Sequence, residues 1–327
     1  MLNPHLNLNP KIFDDDVEKK PTRDGFGTAL VELGDGDKNV VVLTADLSES
    51  TRTEEFAKKY PERFFEMGVA EQNMATVAAG LGVTGKVAFI SSYATFSPGR
   101  NWEQIRTTIA YNKANVKVAG HHTGVMTGPD GATHQATEDI AMMRAMPDMT
   151  VIVPCDSIEA YKATVAVGKT KDPAYLRFTR DKTLVMTTDQ TPFAIGKAQV
   201  FWTSANPKVT IVGTGYMLYY CLLAAKKLEE EGIESLVVNN ASIKPLDEEL
   251  LLDVAKKTGL VVTVEDHQVM GGLGGALAEL FARKQPTKMA FVGLQNTFAE
   301  SGKPEELLEK YNMGDKAIVQ TVKNMLG

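Results

Sequence analysis

Apolar runs rich in β-branched residues recur along the chain with helix-patterned stretches between them, and no other sequence feature limits the fold as much. The first series is NVVVLTAD (39–46), VAFISSY (87–93), VKVAG (116–120), MTVIVPC (149–155) and AYLRFTR (174–180), with helical stretches near 22–33, 71–83, 99–113, 137–145 and 157–168. Near-continuous apolar strands that alternate with helices belong to mainly parallel sheets covered on both faces. A break rich in Thr, Asn and Pro follows around 187–206. A second series then begins: KVTIVGTG (208–215), SLVVNNASI (235–243), LVVTVED (260–266) and MAFVGL (289–294), with helices near 218–231, 247–258, 273–284 and 304–311. The pattern predicts an α/β chain of two domains, each with a mainly parallel sheet flanked by helices. Residues 1–20 read as an N-terminal arm outside the folded elements, 21–190 as the first domain, 191–205 as a linker and 206–327 as the second domain.

A length of 327 residues suits about two cores, and 43% hydrophobic with 23% charged residues is ordinary for a globular protein. The net charge of −6 gives no basic footprint for nucleic acid and disfavours an anionic membrane surface. No apolar run approaches the roughly 18 residues of a membrane span, and MLNPHLNLNPKIFDDD lacks the basic-then-apolar order of a signal peptide. Cys155 and Cys221 stand far apart without a metal-binding spacing and read as reduced core thiols. A cytoplasmic location is the expectation.

In FEMGVAEQNMATVAAGLG (65–82) a short strand ends, a carboxylate appears and a helix of small residues begins. Met74, Val77, Ala78 and Leu81 recur at helical spacing, so one face packs on a core. Ala75, Ala78, Ala79 and Gly80 leave room for another backbone or a flat ligand. Glu71 opens this helix. It either complements the helix dipole or, partly desolvated, has a raised pKa with which it holds or donates a proton.

Ligands of open α/β sheets bind beyond the carboxyl ends of the strands. The residues there are polar: DLSES after 39–46, ATFSPGR after 87–93, HHTG and the loop that continues to His134 after 116–120, and Arg180-Asp181 after 174–180. Three of the five histidines lie in His121–His134, a long loop shaped by Gly124, Gly128 and Gly131, and long loops in compact domains usually carry function.

GVAEQNMATVAAGLG, SSYATF, HHTGVMTGPDGATHQATED and VIVPCD together resemble the pyrimidine-binding domain of transketolase-type thiamine diphosphate enzymes, and VEDHQVMGGLGGALAE resembles their C-terminal domain. The likeness covers about residues 20–327 and corresponds to the second half of a full-length transketolase. In that family the first half binds the cofactor's diphosphate and a divalent metal. Gly34-Asp35-Gly36 occurs here without the Asn that completes the family's metal motif, so LGDGDKN reads as a turn before the first strand and no metal ligand is assigned.

The resemblance implies thiamine diphosphate as cofactor, its pyrimidine end on this chain and Mg²⁺ or Ca²⁺ held mainly by a partner subunit. Glu71 would hydrogen-bond the far nitrogen of the aminopyrimidine, favouring the tautomer that takes the thiazolium proton. Phe96 would stack on that ring, with a core position as its alternative. Tyr93 and Trp102 would line the same wall, and Asp46 either lines the cofactor pocket or caps a strand end. Arg23, Ser50, His122 and Arg180 match a clamp for sugar phosphates. Asp130 and His134 match residues that bond the sugar hydroxyls, His134 also assisting proton transfer. His121 and Arg100 have no assigned role. His122 stands where deoxyxylulose-phosphate synthase carries acidic and Arg side chains, which favours transketolase. The implied function is the C-terminal subunit of a split transketolase, paired with an N-terminal subunit as α2β2. The alternatives are a β subunit of a 2-oxo-acid dehydrogenase, a deoxyxylulose-phosphate synthase-like enzyme, and a catalytically silent assembly partner. Glu71, Phe96 and His134 speak against the last.

Overall fold

The computed structural model describes residues 1–327. The first sheet has seven strands in the order Ser242–Lys244, Thr150–Ile152, Ala174–Arg177, Val116–His121, Val87–Tyr93, Val40–Thr44 and Phe64–Glu66. The second has five, in the order Lys288–Leu294, Leu260–Gln268, Val209–Gly213, Ser235–Asn239 and Gln199–Trp202. Neighbouring strands are parallel in both sheets except for one antiparallel edge strand in each, Ser242–Lys244 and Gln199–Trp202. Every residue of Val40–Thr44 and of Val116–His121 is buried, as strands covered on both faces require. No helix is long and apolar enough to cross a membrane.

Four expectations need correction. Residues 199–202 fall inside the expected linker, yet they form an edge strand because Phe201 and Trp202 bury against the second core. The run 235–243 is not one strand. It breaks at Asn240 and Ala241, whose backbone groups bond Gly213 (2.9 Å) and Val153 (2.7 Å), and Ser242–Lys244 continues into the first sheet. The arm is packed: Asn3 N–H bonds the Phe201 carbonyl (2.8 Å), Asn9 N–H bonds that of Met186 (2.9 Å), and Ile12 is fully buried. It straps the edge of the second sheet to the first domain. Gly34-Asp35-Gly36 is the last turn of the helix Thr22–Gly36, with Asp35 paired to Lys59 at 2.7 Å.

Because the strands ending at Thr44, Tyr93, His121 and Arg177 run parallel, the segments that follow them gather at one edge. The helices Thr22–Gly36 and Glu71–Val83 begin at the same edge as their preceding segments return to it.

Candidate active site

Glu71 opens its helix with a side chain only 1% exposed, above Met74, Ala75 and Ala78 in the core. Its carboxylate is already engaged. Arg100 Nη1 donates to Oε2 at 2.6 Å. Asn101 Nδ2 donates to the Glu71 carbonyl and to Ser97 Oγ, both at 3.1 Å, fastening the 97–101 loop over the helix start. The Arg100 guanidinium also lies 4.6 Å from the centre of the Phe96 ring. Phe96 is half-buried and belongs to none of the three apolar cores. It stacks with Tyr93 (6.1 Å) and meets His134 edge-on (5.4 Å).

Trp102 and Asp46 lie apart from this group. The first α-helical turn of the 102–110 segment begins at Trp102, which turns its ring onto the first core, where Nε1 donates to the Met142 carbonyl (3.4 Å). Asp46 is exposed, and its backbone N–H is held by Glu66 at 2.7 Å.

The residues expected to clamp a sugar phosphate converge. Thr22 Oγ1 accepts from Thr179 N–H at 2.8 Å, which brings the start of its helix to the segment carrying Arg180. Arg23 Nη1 donates to the Ser50 carbonyl (2.6 Å) and to His122 Nε2 (3.0 Å). Ser50 therefore enters through its backbone. With Nε2 accepting from a guanidinium, the His122 proton sits on Nδ1. Burial, reinforced by Arg23 and Arg180, pushes the His122 pKa down to about 3, so the ring is neutral. It stacks on Tyr93 at 3.9 Å. His122 Nδ1 and Arg23 Nε are both buried without a hydrogen-bond partner, which is costly for donors. Arg180 donates to the Thr127 carbonyl at 3.0 Å and lies 3.8 Å from Asp130. Arg52 adds another cation, paired with Asp24 at 2.8 Å. His121, by contrast, is packed between Phe26 and Phe178 and bonds Ser91, a structural position.

The second domain holds the loop that carries His122, Asp130 and His134. Asp266, at the end of Leu260–Gln268, accepts from Val125 N–H (2.9 Å), Met126 N–H (3.4 Å) and Tyr216 O–H (2.7 Å). Gln135 Nε2 reaches the Glu300 carbonyl at 3.1 Å. Arg177, paired with Asp139 (2.8 Å), also donates to the Asp266 carbonyl (2.8 Å).

Residues 18–184 match the family described as transketolase, pyrimidine binding domain, and residues 196–318 match transketolase, C-terminal domain. The chain belongs to the transketolase family. A Methanocaldococcus jannaschii protein provisionally described as a transketolase C-terminal section is 44% identical, over 93% of this chain and 95% of its own length. A 6-deoxy-6-sulfo-D-fructose transketolase subunit of a Clostridium species is 36% identical, over 94% and 95%. Human transketolase is 35% identical over 94% of this chain but only 49% of its own length, so the chain spans about half of a full-length relative. A solved split-gene transketolase, described as an inactive β4 tetramer, superposes with a TM-score of 0.87 at 45% identity, covering 94% of this chain and 98% of that one. The chain is thus the C-terminal part of a transketolase-type transferase, and membership implies thiamine diphosphate and a partner carrying the N-terminal part.

Sequence reading missed Arg52, Arg100 and Asp266. Arg100 did stand in the polar segment ATFSPGR just past a strand end and Arg52 two residues beyond DLSES, but a lone Arg there is indistinguishable from a solvated one. Asp266 lies within VEDHQ, where only the contact with a loop about 140 residues away gives it meaning.

Proposed function

We propose that this chain is the C-terminal subunit of a two-subunit enzyme that moves a two-carbon ketol unit from a ketose phosphate to an aldose phosphate, assembled with its N-terminal partner as α2β2. One observation carries the reading. Arg23, His122 and Arg180 arrive from three segments at one sheet edge, and two buried donors among them, Arg23 Nε and His122 Nδ1, have no acceptor. An anion with several oxygens satisfies such donors.

The buried Glu71 carboxyl beside the half-buried Phe96 ring fits a flat nitrogen heterocycle, with a partner for a ring nitrogen and a face to stack on. When bound, thiamine diphosphate supplies an acidic carbon and an electron sink for the two-carbon fragment. In this reading Glu71 holds a proton at the pyrimidine nitrogen, Phe96 orients the ring, and Tyr93 backs His122 from the other side. Arg23, steadied by the Ser50 carbonyl, acts with His122 and Arg180 on the substrate's anionic end. Asp130 and His134 bond the sugar hydroxyls, and His134 moves a proton near the carbonyl. The partner holds Mg²⁺ or Ca²⁺ and the diphosphate.

The test is a steady-state assay of the reconstituted pair with xylulose 5-phosphate and ribose 5-phosphate. Ketol transfer by the pair and none by this chain alone is the expected result. Transfer by the single chain, or turnover of a 2-oxo acid in place of sugar phosphates, would overturn the proposal. The likeness to the sulfofructose transketolase subunit adds an arm with 6-deoxy-6-sulfo-D-fructose as donor, since a sulfonate also offers three acceptor oxygens. The donor with the higher kcat/KM identifies the anion the clamp serves.

A further inference from the structure

The Arg100 guanidinium is a planar group that donates a hydrogen bond to Glu71 Oε2 (2.6 Å) while lying over the Phe96 ring (4.6 Å). These are the two contacts that the proposed reading reserves for the pyrimidine ring, whose family gives this domain its description. Resting on that reading, we propose that Arg100 is an internal stand-in for the cofactor ring: it occupies the ring's place until the cofactor displaces it.

Three features support displacement over a fixed role. The Glu71 carboxylate has no other hydrogen-bond donor, and at 1% exposure it needs one, so either Arg100 or a ligand must supply it. The Arg100 side chain has no other hydrogen bond, and at 46% exposure it has an open path outward. The backbone that bears it is fixed, because Asn101 is tied to Glu71 and to Ser97, and a side chain at Gly99 would overlap the Thr95 carbonyl. A firm backbone with a loosely held guanidinium suits a latch that swings on its side chain alone. The latch also spares the empty subunit an unpaired buried carboxylate.

The latch competes with the cofactor, so removing it should raise affinity. In the reconstituted two-subunit enzyme, thiamine diphosphate with Mg²⁺ is titrated calorimetrically against the wild type, Arg100→Ala and Arg100→Gln. The Ala variant should bind about three- to tenfold tighter, in line with a partly exposed ion pair. The Gln variant, which keeps a weaker donor, should fall between. Unchanged or weaker binding by both variants would reject the latch while leaving the cofactor site standing, because binding itself persists. No binding by the folded wild-type complex would reject the site reading and the latch together.

Discussion

Replacing Gly124 by Ala tests whether the second domain positions the loop that carries His122, Asp130 and His134. Gly124 has φ 65° and ψ −168°, a region essentially reserved for glycine, where an L-residue costs about 1–3 kcal/mol. Its new Cβ would also overlap the Asp266 carboxylate, the acceptor for Val125 N–H at 2.9 Å and Met126 N–H at 3.4 Å. Hydrogen bonds to a charged group are worth about 1.5–3 kcal/mol, and the longer of the two counts for less, so displacing the carboxylate forfeits about 2–4 kcal/mol. The expected loss is then about 3–7 kcal/mol, large against the usual stability of a domain. Gly259 provides the control. Its φ of 66° and ψ of −1° are ordinary left-handed backbone and nothing lies within 4 Å of an added Cβ, so Gly259→Ala should lose only about 1–2 kcal/mol, less than Gly124→Ala on the backbone count alone. Urea unfolding of the three proteins, compared by midpoint with slopes checked for equality, reads the difference. Equal losses in the two variants would refute the overlap argument. In the assembled enzyme Gly124→Ala should also impair ketol transfer, and Gly259→Ala should not.

Glu71→Gln should leave the fold intact and remove nearly all ketol transfer; retention of more than about a tenth of wild-type turnover, a loss under about 1.4 kcal/mol, would count against its role. Arg180→Ala and His122→Ala should weaken phosphorylated substrates far more than their unphosphorylated analogues, by about 1.5–3 kcal/mol for each lost contact, and equal losses in kcat/KM for both substrate types would dismiss the clamp. The isolated chain should bind thiamine diphosphate poorly by calorimetry with or without Mg²⁺, because one stacked ring offsets little of the entropy of association; tight Mg²⁺-dependent binding would sink the split-subunit reading. Burial, with Asp156 beside it, pushes the Glu159 pKa up to about 7, so the native state keeps a proton that the unfolded chain releases. That contribution is complete below the ordinary carboxyl range near pH 4.5 and is lost as pH rises through about 7. Glu159→Gln should flatten the stability profile in that window by on the order of 2–3 kcal/mol, and an unaltered slope in urea titrations would contradict it.

What the sequence could reveal followed from how local the signal was. Strands such as Val40–Thr44 and Val116–His121 are legible because burial on both faces writes an unbroken apolar run. His122 and Arg180 are legible because parallel strands collect their trailing residues at one edge, so position after a strand already predicts proximity, whereas Arg23, in the first turn of a helix, is reached only through the family resemblance. The crossing of Ser242–Lys244 into the first sheet is not legible, since a three-residue strand takes its partner from the tertiary structure. Trp102 misleads because it follows Phe96 by six residues yet begins a helix, and the change of backbone direction points its ring at Met142. The Arg100–Glu71 pair joins residues 29 apart, and neither neighbourhood signals the other.

The second domain supplies none of the proposed cofactor or substrate contacts, yet the geometry of the site depends on it. Asp266 and the Glu300 carbonyl grip the loop from one side, and Thr127 Oγ1 bonds the His122 carbonyl (2.7 Å) from within. Arg177, fixed by a buried pair with Asp139 inside the first domain, ties the two domains through its bond to the Asp266 carbonyl. A buried hydrogen bond from a charged donor contributes about 1.5–3 kcal/mol, so the junction is costly to open. The loop is therefore ordered before any ligand arrives, and binding need not bear the entropy of fixing it. His122 shows what this secures: φ is 52°, its ring is sandwiched against Tyr93, and its Nε2 is held by Arg23, so the remaining Nδ1 donor has one direction left to offer. A division of the chain near residues 191–205 thus does not separate two functions, because the residues that would touch substrate stand on the first domain and are aimed by the second.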